Sequence, residues 1–150
     1  MGTISRSFSW EEFERTSHAG ELARMGVRNA VTTFEQRDAV LSLVRDLLQP
    51  LRDLYGKPMA VNSGFRCPEL NRIVGGAATS QHLKGEAADI RTGSQTETYR
   101  LARLAKTTPA IFREIDQMIL YPTFIHFSHK RVGAQRNQIL YDSSYKGRRV

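Results

Sequence analysis

Three residues of this chain have the types and the order needed to hold a metal ion. They are His82 and Asp89 in the stretch SQHLKGEAADI, and His126 in FIHFSH. His82 and Asp89 stand seven residues apart with Gly85 between them. Ligands carried on one helix lie three or four residues apart, as in H-E-x-x-H. A spacing of seven across a glycine fits a loop that turns and then enters a strand. His, Asp and His supply three protein ligands and leave a fourth position open for water, the arrangement of a catalytic zinc. An Asp in the set argues against a purely structural zinc, which favours Cys-rich ligands. Taken without His126, the His–Asp pair also suits an ordinary surface hydrogen bond.

The elements that must position these residues follow from caps, breakers and periodicity. Ser9 with Glu12, Thr33 with Gln36, and Ser94 with Glu97 have the spacing of capping boxes and predict three helix starts. The first helix runs from Ser9 to about Thr16. In the second, Val40, Leu41, Val44, Leu47, Leu48, Leu51 and Leu54 recur at helical spacing and form the main apolar stripe. Pro50 lies inside that stripe and predicts a kink near Leu47, with Gly56 closing the helix. The third runs to about Lys106. Pro68 to Val74 reads as a short helix with Pro in its first turn. Strands are expected at Met59–Asn62, Glu86–Ile90, Ile115–Leu120, Phe124–Ser128 and Asn137–Tyr141. Tyr121-Pro122-Thr123 would make a three-residue hairpin connection that carries His126 toward Asp89. Glu86 is expected to be exposed, and the basic tail after Tyr141 to be frayed. The expected architecture is α+β, with helices on one face of a small, mostly antiparallel sheet and the metal on its open face.

Three segments also carry a resemblance. SQHLKGEAADI resembles the Ser-x-His-x-x-Gly-x-Ala-x-Asp signature of the M15 metallopeptidases, which cut D-amino-acid-containing peptides of bacterial cell walls. VNSGFRCPELN, from Val61 to Asn71, is similar to the Ser-Gly-Tyr-Arg-Ser-Pro-x-Leu-Asn segment of the D-alanyl-D-alanine carboxypeptidase branch. FIHFS resembles that branch's Trp-Val-His-Val-Ser, which delivers the last ligand. SWEEF and the long helix look like the lead-in of single-domain, often phage-associated members. The resemblance implies that His82, Asp89 and His126 bind Zn2+ and that Arg66 clamps a substrate carboxylate or carbonyl. It also places Ser80 and Gln81 where they can contact peptide or support the first ligand. The implied activity is hydrolysis of peptidoglycan peptide bonds, as a D-Ala-D-Ala carboxypeptidase or as an endopeptidase of endolysin type.

The resemblance leaves the general base open. Related sequences place a Glu three residues, or a His two residues, before the last ligand. Here those positions hold Thr123 and Phe124, which cannot accept a proton. Glu114, Asp116 and His129 remain nearby. With Tyr121-Pro122-Thr123 as the turn, parity puts Asp116, Met118 and Leu120 on the face of Phe124, His126 and Ser128. Asp116 is therefore the expected base, or else the partner of a ligating His. His129 has the opposite parity, and Glu114 precedes the strand.

Composition bounds the remaining choices. At 150 residues the chain is expected to form one domain over 1–150 and to act as a monomer. No apolar run approaches the roughly 20 residues of a membrane helix. The start MGTISRSFSWEEF lacks the apolar core of a secretory signal, so access to the wall would follow phage lysis or packaging in a virion. The net charge is +7, with Lys130, Arg131, Arg136, Lys146, Arg148 and Arg149 near the end. That surface suits an anionic wall polymer, and no nucleic-acid motif accompanies it. Cys67 is the single cysteine and reads as a small buried residue. Two alternatives stand beside the enzyme: a wall-binding module that keeps the zinc without turnover, and a basic structural protein of a virion.

Overall fold

The computed structural model describes residues 2–150. A hairpin of β1 (Thr3–Ser5) and β2 (Phe8–Ser9) leads into α1 (Trp10–Glu14) and α2 (Ala19–Arg24). α3 (Phe34–Leu43) continues through a π turn over Val44–Leu48 into α4 (Gln49–Tyr55). β3 (Val61–Ser63), α5 (Pro68–Ile73), a 3-10 turn at Gln81–Lys84 and β4 (Ala87–Arg91) follow. α6 (Gln95–Thr107), α7 (Pro109–Phe112), β5 (Gln117–Leu120), β6 (Phe124–Ser128) and β7 (Gln138–Tyr141) complete the chain.

The polar caps set the helix starts. Ser9 with Glu12, and Thr33 with Gln36, close full capping boxes at α1 and α3. Ser94 accepts from the Glu97 backbone at α6, but the Glu97 carboxylate goes to Tyr55, Lys57 and Arg100 instead of closing the box. The break expected near Leu47 takes the form of the π turn. Pro50 has no N–H to offer the Asp46 carbonyl, and the Gln49 N–H reaches back five residues to Val44. The wider turn rotates the face that follows. Leu51 is buried, but Leu54, the last residue of the sequence stripe, is 54% exposed.

A five-stranded sheet runs in the order β3-β4-β6-β5-β7. The sheet is mixed: β3–β4, β4–β6 and β6–β5 are antiparallel, whereas β5–β7 is parallel. β6 and the loop after it make the return that a parallel neighbour requires. Alternation divides the sheet's faces. Ala88, Ile90, Met118, Leu120, Ile125 and Phe127 join the core with the α3–α4 rod, α6 and α7. The opposite parity carries Asp89, Ile119 and His126.

That register corrects the expected hairpin. Leu120 pairs with Ile125 and Ile119 with His126, and the Tyr121 N–H donates to the Phe124 carbonyl at 3.0 Å. The connection is thus the two residues Pro122-Thr123, one shorter than expected. A one-residue shift exchanges the faces of a strand, so Met118 and Leu120 lie in the core and not beside His126. The basic tail is also folded back. Tyr145 is buried, the Val150 N–H donates to the Tyr141 hydroxyl, and Arg148 and Arg149 lie over the rings of Tyr99 and Tyr141. Among the described residues no helix is long and apolar enough to cross a membrane.

The bond from the Tyr55 hydroxyl to Glu97 ties α4 to α6. Burial, then Glu97, pushes the Tyr55 phenol up to about 12. Tyr55, Arg100 and Lys57 hold the Glu97 carboxyl down to about 2. The Glu97 contribution is present above its unfolded pKa of about 4.3 and is lost as pH falls toward 2. The Tyr55 contribution is present below pH 10 and is lost as pH rises toward 12. Tyr55→Phe should lower stability at pH 7 by about 1 kcal/mol, and should flatten the decline of stability below pH 4, as read by denaturant unfolding.

Candidate metal centre

His82, Asp89 and His126 arrive from three separate segments. His82 is the second residue of the 3-10 turn Gln81–Lys84, which Ser80 caps by accepting the His82 N–H at 3.2 Å. Asp89 is central in β4, and His126 is its direct cross-strand partner on β6. The turn is pressed against the rod. Gly85 has φ +76, and a Cβ there would lie 2.6 Å from the Gln36 carbonyl oxygen. Both the conformation and the close approach demand glycine. Gly64 is similarly confined, since a Cβ would lie 2.8 Å from Phe13 Cα.

These constraints fix the donor atoms. His82 Nδ1 lies 2.6 Å from the Gly64 carbonyl oxygen, so Nδ1 carries the proton and the Nε2 lone pair is free. Nε2 points at Asp89 Oδ1, 3.4 Å away. His126 Nδ1 lies 2.9 Å from the same oxygen. Ligand atoms that share a zinc at ~2.0–2.2 Å stand roughly 3–4 Å apart, and one atom from each residue falls within 4.8 Å of the others. Two imidazoles, one carboxylate and a carbonyl that orients the first imidazole match a zinc site in donor chemistry and in surroundings.

Asp89 is 9% exposed. Burial raises its carboxyl, but His126 and His82 outweigh that and hold it below the usual carboxylate range. Arg66 Nη2 lies 3.7 Å from Asp89 Oδ2. Arg66 also donates Nε to Ser63 Oγ and Nη1 to Asn71 Oδ1, which leaves the planar fork beside the cluster. Burial lowers the Arg66 pKa while Asp89 and Tyr121 oppose the shift, and a guanidinium remains charged regardless.

The cluster opens into a cleft of about 880 Å³ lined by Arg66, Ser80, Gln81, Glu86, Tyr121, Lys130 and Arg136, among others. Another cavity, of about 650 Å³, lies between α1 and α2 and touches none of the three donors. Tyr121 was assigned only to a turn by the sequence, yet it lines this cleft and stacks on Phe124 with ring centroids 4.1 Å apart. Burial, then Asp142 and Asp89, raise its phenol, so it remains a proton donor. Its position next to a Pro-containing turn was the only available signal.

Two expectations are corrected. Glu86 is half-buried, not exposed, and accepts from Gln81 and from the Arg131 backbone. Asp116 is fully buried, but its carboxylate is committed elsewhere. It accepts from the Arg136 backbone and guanidinium at 2.7–3.2 Å and from Gln81 Nε2 at 3.1 Å. Burial raises its carboxyl and Arg136 more than reverses that, so the group sits below the usual range and is a poor base. It also hydrogen-bonds neither imidazole of the cluster. Gln81 spans Glu86 and Asp116, while Ser80 caps the turn. Cys67 is buried with Leu22, Phe65 and Leu70.

A family model described as Peptidase M15 matches residues 7–128. The chain belongs to the M15 peptidase family. The matched region contains all three donors and Arg66, and it ends at the last residue of β6. The chain is also similar to the zinc D-Ala-D-Ala carboxypeptidase of Streptomyces albus G, with 51% identity over 49 residues. That stretch is 32% of this chain and 19% of the relative's length.

Gly85→Ala should lower stability by about 1–3 kcal/mol. The His82 turn would have to lift from the rod, so the same variant should bind added zinc more weakly in a calorimetric titration.

Proposed function

We propose that this chain is a zinc-dependent peptidase that hydrolyses D-amino-acid-containing peptide bonds of bacterial peptidoglycan, with His82, Asp89 and His126 as the zinc ligands. The observation that carries this is the meeting of two imidazoles and one carboxylate in a cleft beside a fixed guanidinium. Membership of a peptidase family supports it. The similar protein named as a zinc D-Ala-D-Ala carboxypeptidase supports the substrate class.

Zinc, when bound, polarises a carbonyl group and makes a water molecule acidic near neutral pH. The chain's own residues do the rest. The Gly64 carbonyl keeps His82 in one tautomer. Asp89 adds a negative charge between the two imidazoles. Arg66 presents a planar donor pair suited to a substrate carboxylate, which favours a free C-terminus such as that of a carboxypeptidase substrate. Tyr121 offers a hydroxyl donor to a developing oxyanion. Ser80 and Gln81 shape the wall on the His82 side. The +7 charge favours adhesion to anionic wall polymer.

The test is mass spectrometry of purified muropeptides incubated with the protein, with and without chelator. Loss of a terminal D-alanine that chelator abolishes is the expected result. Intact muropeptides with zinc-loaded protein would overturn the enzyme and leave a binding module. His82→Ala and Asp89→Ala should each abolish turnover and strip zinc from this site. Arg66→Lys keeps the charge but loses the fork, and should lower kcat/KM by ~10-fold or more at unchanged zinc content. Tyr121→Phe should lower kcat with little change in KM.

A further inference from the structure

A second set of donors meets that shares no side chain with the first. Asp46 lies on the π turn, Glu114 follows α7, and His129 follows β6. One possible ligand atom from each falls within 4.8 Å of the others. His129 is only 5% exposed. Its Nδ1 lies 2.7 Å from the Glu114 carbonyl oxygen, which places the proton on Nδ1 and frees Nε2. Among the described residues Nε2 makes no hydrogen bond, and it faces Asp46 Oδ2, 3.8 Å away. The Glu114 carboxylate also lies close to the ring, with Oε1 3.9 Å from Nδ1.

That separation is informative. An imidazolium facing a carboxylate closes to ~2.7–2.9 Å, and a bare lone pair facing one is repelled. Two ligands of one metal ion at ~2.0–2.2 Å stand roughly 3–4 Å apart. The geometry repeats the one at His82, where Nδ1 is also held by a backbone carbonyl and Nε2 faces a carboxylate across 3.4 Å. Asp46 is held from its solvent side by Arg45 at 2.9 and 3.0 Å. Arg45 is 68% exposed and leaves the second lone pair of Oδ2 free.

We infer that Asp46, Glu114 and His129 form a second site for a divalent transition-metal ion of the zinc class, structural in role. An imidazole with two carboxylates suits such ions. The ion pins the π turn to the end of the strand that carries His126, three residues before His129. The inference is independent of the proposed peptidase activity, since it uses none of the same side chains.

The test counts zinc in folded protein. After saturation with Zn2+ and desalting, wild type should hold about two equivalents by elemental analysis. Asp46→Asn should hold one and keep its turnover. Asp89→Ala should also hold one, and added Zn2+ should raise its Tm. The Asp89→Ala/Asp46→Asn double variant should hold none and show no Tm response. Circular dichroism checks the fold of each, and Glu114→Gln replaces Asp46→Asn if that variant misfolds. One equivalent in wild type that Asp89→Ala removes completely would overturn the site and leave His129 as a buried ion-pair partner. One equivalent that Asp46→Asn removes, with Asp89→Ala unchanged, would keep this site and sink the zinc assignment of the other.

Discussion

A carboxylate that is nine-tenths buried is costly to keep ionised, and Asp89 is one. Its neighbours are what make it tolerable. Two imidazoles approach one oxygen, and a guanidinium stands 3.7 Å from the other. Remove those partners and the charge would be stranded between strands at the centre of the sheet. A divalent ion is the strongest partner available to such a group, and it would draw in both imidazoles as well. The central strands β4 and β6, the His82 turn and the Arg66 segment are therefore bound to one electrostatic requirement.

Rigid parts meet that requirement. The cross-strand pairing of Asp89 with His126 is fixed by five consecutive partners between β4 and β6. His82 cannot slide along its turn, because Gly85 is wedged against α3 and Gly64 against α1. Arg66 is held by its backbone N–H on the His82 carbonyl at 3.1 Å and by Ser63 and Asn71 at its fork. Buried Asp116 and the partly exposed Arg136 form a brace that joins the start of β5 to the segment before β7 and, through Gln81, to the His82 turn. Breaking such a brace by removing one partner leaves an uncompensated buried charge. That is a structural role, and it explains why a buried Asp near the last ligand need not be a base.

Much of this was legible in the sequence because it rests on local rules. Ser9, Thr33 and Ser94 marked helix starts, Gly56 marked a stop, and the donor spacing across Gly85 announced a turn followed by a strand. What failed depended on a count of one. Reading three connecting residues instead of two reversed the faces of β5, which moved Met118 and Leu120 to the wrong side. Leu54 fell off the apolar stripe for a similar reason, since the π turn at Pro50 inserts an extra residue into the helical count. Tyr121, Glu86 and the Asp116–Arg136 pair depended on contacts between distant segments that carry no local signature. The same holds for the return of the tail onto Tyr99 and Tyr141.

Anomalous diffraction at the zinc edge, from crystals of zinc-loaded protein, addresses the central claim most directly. The expected result is a zinc peak within bonding distance of His82 Nε2, an Asp89 oxygen and His126 Nδ1, at ~2.0–2.2 Å, open toward the cleft that Arg66 and Tyr121 line. A map without zinc at that cluster, or with zinc bound there but not to Asp89, would contradict it.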